Sequence, residues 1–212
     1  MDRKKKTTKP SLASGSAARG RTASVARKTK ETGIALELNL DGSGKVSVST
    51  GLGFLDHMLT ALAHHARLDL TLTCRGDLHI DDHHTAEDVA IALGKAIDQA
   101  LGDRAGIVRF GYAYAPLDEA LARAVVDLSG RPSPSIHLRL RRGKIGEVAS
   151  ENLTHVLESL AVHLRASVHV DVLRGDNEHH KAAAAFKALA LALRQALARD
   201  GSNEIRSTKG VL

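Results

Sequence analysis

The chain has one cysteine, Cys74, no tryptophan, three phenylalanines and two tyrosines. A single cysteine excludes an intramolecular disulfide and fits a reducing compartment. It also removes the thiolate sets from which purely structural zinc sites are usually built. With so few rings the core must be aliphatic, chiefly Ala, Leu, Val and Ile. The same scarcity argues against nucleic-acid binding, because single-strand binders stack bases on aromatic side chains. No apolar run approaches the ~18 residues of a membrane span, so no membrane association is expected. What is present is a chain of 212 residues with 43% hydrophobic content, enough for one compact domain or two small repeats sharing a core.

The net charge of +6 is local. Residues 1–30 hold ten Lys/Arg and one Asp, whereas the other 182 residues hold twenty Lys/Arg against twenty-three Asp/Glu. The folded part is therefore mildly acidic, and residues 1–26 are expected to form a basic, disordered arm rich in Lys, Ser, Thr and Gly. The Arg3–Lys9 cluster is not clearly amphipathic and no apolar signal core follows it. A cytoplasmic location is expected, with organelle targeting by the arm as the weaker alternative.

Two stretches repeat. His83–Leu101 aligns without a gap on His179–Leu197, with nine identities in nineteen positions. Upstream, His57–Arg67 matches His155–Arg165 in His, Leu, Leu, Ala, His and Arg at the same offsets, and Arg75-Gly76-Asp77 lies between the blocks as Arg174-Gly175-Asp176 does in the second copy. The order of parts is the same in both halves, which points to an internal duplication. The first unit is expected over residues 27–118 and the second over 119–212.

The periodicities predict strands over Ile34–Leu40, Lys45–Ser49 (returning from an Asp41–Gly44 turn) and Leu68–Thr73, and helices over Phe54–Ala66 and His84–Leu101, the latter stopping at Gly102. In the second half they predict strands over Ala124–Leu128, Ser135–Leu140 and Ser167–Leu173, and helices over Glu151–Leu164 and His180–Arg199. Elements in this order imply two sheets with helices packed between or against them.

Twelve histidines are many for this length, and six fall at matched positions: His57/His155, His83/His179 and His84/His180. On a helix, residues i and i+4 share a face, so His83 and Glu87 can converge on one ion. His84 is turned by about 100° and more naturally reaches a different one. Imidazole with carboxylate suits manganese, iron, nickel or zinc. Asp77 and Asp82 are candidates for orienting imidazoles, with helix capping and turn solvation as the plainer reading. The second copy has Ala183 where the first has Glu87. Arg109, Arg131 and the closing Ser207-Thr208-Lys209-Gly210 offer the cationic and hydroxyl donors that a phosphate monoester requires.

The chain resembles the imidazoleglycerol-phosphate dehydratase family. The resemblance is carried by Gly51-Leu52-Gly53-Phe54-Leu55-Asp56-His57-Met58, Asp81-Asp82-His83-His84-Thr85-Ala86-Glu87-Asp88, Pro116-Leu117-Asp118-Glu119-Ala120, Asp127-Leu128-Ser129-Gly130-Arg131-Pro132, Asn177-Glu178-His179-His180 and Ser207-Thr208-Lys209-Gly210-Val211-Leu212. It implies an α+β fold of duplicated βαβ-type units, like the second domain of ribosomal protein S5, with helices sandwiched between two four-stranded sheets. It also implies a homo-oligomer of 24 copies, with active sites shared between subunits and two manganese ions per site. The implied metal ligands are His57, His83, His84, Glu87, His155, His179 and His180. Glu31, with Glu87 and His84, would be catalytic, and Glu31, Arg109, Arg131, Lys187, Ser207 and Lys209 would contact substrate. The implied reaction is dehydration of imidazoleglycerol phosphate, a small phosphorylated imidazole of histidine biosynthesis, to imidazole-acetol phosphate.

Two positions depart from the family pattern. The family has a glutamate ligand where Ala183 stands, and a proline where Arg206 precedes the Ser-Thr-Lys ending. Three readings follow: an active dehydratase with altered metal affinity, a variant that folds and assembles with impaired chemistry, or a dimetal enzyme acting on another phosphorylated substrate.

Overall fold

The structure, a computed structural model, describes residues 20–210 and 212, so most of the predicted arm lies outside the described residues. Two four-stranded sheets enclose four helices. The first sheet is built from β1 (Thr22–Lys28), β2 (Thr32–Asn39), β3 (Val46–Ser49) and β4 (Asp69–Gly76), in the order β1-β2-β4-β3. The second is built from β5 (Phe110–Leu117), β6 (Ala120–Asp127), β7 (Ser133–His137) and β10 (Ser167–Arg174), in the order β5-β6-β10-β7. Helices α1 (Gly53–Ala66) and α2 (His83–Leu101) belong to the first half, and α3 (Ser150–Leu164) and α4 (Glu178–Leu197) to the second. A small hairpin of β8 (Lys144–Ile145) and β9 (Val148–Ala149) is peculiar to the second half. The α+β class, the duplication and the sandwiched helices are as the sequence implies.

Alternation fixes which face of each strand is inside. On β2 the buried set is Thr32, Ile34, Leu36 and Leu38, and on β4 it is Leu70, Leu72 and Cys74. On β6 it is Ala120, Ala122, Ala124 and Val126, where small side chains let the alanine-rich α4 lie close. Each unit also ends its first helix in the same way. Arg67 and Arg165 both adopt the left-handed conformation at the C-caps of α1 and α3.

Three expectations need correcting. The segment after the Asp41–Gly44 turn does not return antiparallel to β2: β3 pairs in parallel with β4 and sits at the sheet edge. The first strand of each unit was hidden from the periodicity, and this shifts both boundaries. β1 begins at Thr22, inside the segment assigned to the arm, and β5 begins at Phe110, before residue 119. β5 inverts the usual pattern, turning small Gly111 and Ala115 inward while Phe110, Tyr112 and Tyr114 face out. The alternation signal there points the wrong way.

The two units meet through their helices: α2 packs on α3, and α1 on α4. Gly94 marks the first crossing, where an added Cβ would lie 2.8 Å from the Leu160 carbonyl oxygen and 2.9 Å from His163 Cβ. Gly76 marks the junction of β4 with α2, because a Cβ there would come within 1.9 Å of Thr85 Oγ1. These contacts set where the N-terminal turn of α2, which carries His83 and His84, stands against the rest of the fold.

Cys74 lies on the inner face of β4, and burial pushes its thiol up to about 11, helped by the negative charges of Asp88 and Asp56. At pH 8 only about a thousandth of such a thiol is ionised. Native protein is therefore expected to resist a thiol-disulfide reagent at pH 8 and to react stoichiometrically once unfolded in guanidinium; fast labelling of the native form would contradict this packing.

Candidate metal centre

The helix starts position the histidines. At α4, the Asn177 side chain accepts hydrogen bonds from the backbone N–H groups of His179 (2.9 Å) and His180 (3.4 Å). At α2, Asp81 accepts from the His83 N–H at 2.8 Å, at the repeat-equivalent place. A side chain thus caps α4 directly and braces the turn into α2, and each start carries an adjacent His-His pair on the first turn of a long helix.

His83 and Glu87, one turn apart on α2, meet His155 on α3. The ligand atoms of these three side chains all lie within 4.8 Å of one another, and each is half-buried. His155 Nε2 is 3.2 Å from Glu87 Oε1, and the rings of His83 and His155 stack with centroids 5.1 Å apart and planes 17° apart. Two imidazoles and a carboxylate, with no thiolate, form a donor set suited to a borderline divalent metal. The ligands come from both units, because α2 belongs to one and α3 to the other.

The related set in the other half is poorer. His57 on α1 and His179 on α4 approach with ring centroids 5.6 Å apart. Ala183, 2% exposed, occupies the position of Glu87 and offers no donor. The Phe54 ring meets His179 edge-on at 5.1 Å. Burial holds His179 below the usual imidazole range, with the neighbouring His57, His180 and Lys187 adding to the effect.

The second histidine of each pair turns away from these sets. His84 Nδ1 lies 3.0 Å from Asp77 Oδ2, and its Nε2 lies 3.9 Å from the Glu31 carboxylate. The hydrogen bond to Asp77 holds His84 above the usual imidazole range, with Glu31 contributing by charge. His180 repeats the arrangement, with Nδ1 2.7 Å from Glu119 Oε2 and Nε2 3.6 Å from Asp118 Oδ2. The Glu119 carboxylate is held down at about 2, first by the Asn177 backbone N–H and then by His180. In both halves a carboxylate therefore holds Nδ1, and a second carboxylate lies within 4 Å of Nε2.

Glu31 sits at the tip of the β1–β2 hairpin. That hairpin is tied to α2 through buried Asp88, whose Oδ2 accepts from Arg27 Nη1 (2.6 Å) and Thr32 Oγ1 (2.5 Å). The basic and hydroxyl residues gather elsewhere. Arg109, Arg131, Ser207 and Lys209 line one groove of about 600 Å³ against the C-terminal tail, and no histidine lines it. Arg109 already has partners: a two-point contact with Asp127 (2.7 and 3.0 Å) and a bond from Nη1 to the Arg206 carbonyl (2.5 Å). The tail is thereby pinned to the start of β5. Within one chain this groove, the Glu31–His84 pair and the histidine sets are separate features.

Sequence reasoning missed Asn152, Phe54, Asp118 and Glu119 as neighbours of the imidazoles. Asn152 Oδ1 is 2.9 Å from His83 Nδ1, and its Nδ2 is 2.9 Å from Asp82 Oδ2. The repeat offers no signal for it, because the matching position in α1 is Phe54.

The chain and its fold have known counterparts. The profile of the family described as imidazoleglycerol-phosphate dehydratase matches residues 50–193. The chain is 59% identical over 192 residues to a protein of that name from Phytophthora nicotianae, covering 91% of this chain and 42% of that longer one. It is 53% identical over 193 residues to the Salinibacter ruber protein of the same name, covering 91% of this chain and 96% of the other. A crystal structure of the Pyrococcus furiosus enzyme superposes with a TM-score of 0.77 at 38% identity, covering 89% of this chain and all of that one. Among the described residues no helix is long and apolar enough to cross a membrane. Profile, relatives and superposed fold agree, and the chain belongs to the imidazoleglycerol-phosphate dehydratases, a hydro-lyase family of histidine biosynthesis.

Proposed function

We propose that the chain removes water from imidazoleglycerol phosphate to give imidazole-acetol phosphate, using manganese held where copies of the chain meet. The observation that carries this reading is the convergence of His83, Glu87 and His155 within 4.8 Å in a member of this family. These three residues hold one metal, and His57 with His179 hold a second. His84 and His180 support sharing between subunits: each keeps Nδ1 on its own carboxylate, and neither joins the His83, Glu87 and His155 group of its own chain. A homo-oligomer, 24 copies by family resemblance, brings them to a neighbour's metals. When bound, the metal withdraws charge from the imidazole ring as a Lewis acid.

The chain's residues do the rest. The carbon-bound proton of the substrate is weakly acidic and hydroxide leaves poorly, so each needs a positioned proton carrier. Glu31 takes the proton from carbon and returns it to the departing hydroxyl, which leaves as water and gives an enol that becomes the ketone. His84, beside Glu31 and held by Asp77, and the Glu87 carboxylate keep the acid/base group and the ring in register. Lys187, Arg109, Arg131, Ser207 and Lys209 receive the substrate, chiefly its phosphate, through the tail of a subunit in the assembly. The folded body acts in the cytoplasm, and the basic residues 1–19, ahead of Arg21 and β1, are dispensable.

The metal-supplemented protein is expected to turn over imidazoleglycerol phosphate, and chelation should abolish turnover until manganese is restored. Full activity after exhaustive chelation would contradict the metal reading.

Ala183 favours a second reading, an impaired variant whose His57/His179 set binds metal weakly. Ala183→Glu tests it. An unpartnered carboxylate at this buried position costs several kcal/mol, so the metal-free variant should melt below the parent. Manganese should then raise its Tm by more than it raises the parent's, since a ligand stabilises by about 2.7 kcal/mol at a hundredfold excess over Kd. An equal rise in both proteins would show that the set does not require the acid.

A further inference from the structure

We propose that Asn152 is a positioning residue that fixes the tautomer of His83, so that His83 presents Nε2 to the metal it shares with Glu87 and His155. The proposal rests on the metal reading above. Asn152 lies on α3 in the second unit and is 5% exposed; Asp82, at the N-terminus of α2, is 6% exposed. Asp82 Oδ2 accepts from the Ala149 N–H at 2.8 Å and from Asn152 Nδ2 at 2.9 Å. A carboxylate accepts but does not donate, so the NH₂ of Asn152 must face Asp82 and its carbonyl must face His83. That carbonyl oxygen lies 2.9 Å from His83 Nδ1. Because a carbonyl also only accepts, Nδ1 carries the hydrogen and the free lone pair is on Nε2.

The proton pattern therefore runs in one direction, from His83 to Asn152 to Asp82. The orientation of each group follows from the one beyond it, and the chain ends on a backbone N–H of the other unit. A neutral amide supplies here what Asp77 and Glu119 supply to His84 and His180. It sets the tautomer without adding a negative charge next to Glu87. In the related half-site the corresponding residue is Phe54, whose ring meets His179 and offers no acceptor. The two first-position histidines are thus prepared differently: His83 has a fixed tautomer and His179 has none imposed from this position.

Asn152 could instead serve only as a brace between α2 and α3, and two variants separate these roles. Asn152→Leu keeps the approximate shape and removes the acceptor. Asn152→Asp does the reverse: a carboxylate cannot donate to Asp82, so the brace is lost, but it still accepts from His83 Nδ1. The measurement is calorimetric titration of the metal-free, full-length assembly with manganese, alongside metal-free Tm. Asn152→Leu is expected to weaken one class of manganese site by about 10- to 100-fold, leaving the other class unchanged. Asn152→Asp is expected to keep at least the parent's affinity while its metal-free Tm falls. Parent-like binding by folded Asn152→Leu would overturn the proposal while leaving the metal reading intact. So would weak binding by folded Asn152→Asp, which also decides the matter if Asn152→Leu does not fold. A parent protein that binds no manganese would overturn both.

Discussion

Everything at the candidate centre depends on the contact between the two halves of the duplicated fold. The ligands His83 and Glu87 stand on α2, and their partner His155 stands on α3 of the other unit. The His57/His179 set is divided in the same way between α1 and α4. Neither unit could assemble a set alone, so the helix–helix interface that buries the aliphatic core also defines the geometry of both side-chain sets. The close approach at Gly94 and the junction at Gly76 leave little room for adjustment. A shift in either would move imidazoles relative to each other by distances that matter for coordination.

Duplication made the halves similar, and substitution has since made them unequal. Glu87 faces Ala183 across the repeat, and Asn152 faces Phe54. One set keeps a carboxylate and an imidazole held by a hydrogen bond. The other has two imidazoles, an edge-on phenyl ring and a buried methyl group. The carboxylates on the second histidines remain balanced, with Asp77 for His84 and Asp118 with Glu119 for His180. The asymmetry is therefore confined to the ligand sets.

Much of this was legible in the sequence because the signal was redundant. Matched His, Arg-Gly-Asp and Gln-Ala-Leu positions marked the duplication, and strict alternation on β2, β4 and β10 marked the central strands. The first strand of each unit was not legible. β1 turns only Ala23 and Val25 toward the core, and β5 hides its small buried residues beneath exposed Tyr112 and Tyr114. β3 was seen as a strand, but its partner was not, because parallel pairing with β4 runs through the intervening α1 and leaves no local turn signature. Of the acidic residues near the histidines, sequence suggested roles for Asp77 and Asp82, and the structure finds them bonded to His84 and Asn152. Asn152 itself carries no motif. Its role depends on the distance between two helices, which spacing along one chain does not encode.

The central claim is that two unequal half-sites were built by one duplication. Anomalous diffraction at the manganese edge from crystals of the reconstituted protein tests it most directly. A strong peak bounded by His83, Glu87 and His155, with a weaker one beside His57 and His179, is the predicted result. Equal peaks at the two sets, or none at the first, would contradict it.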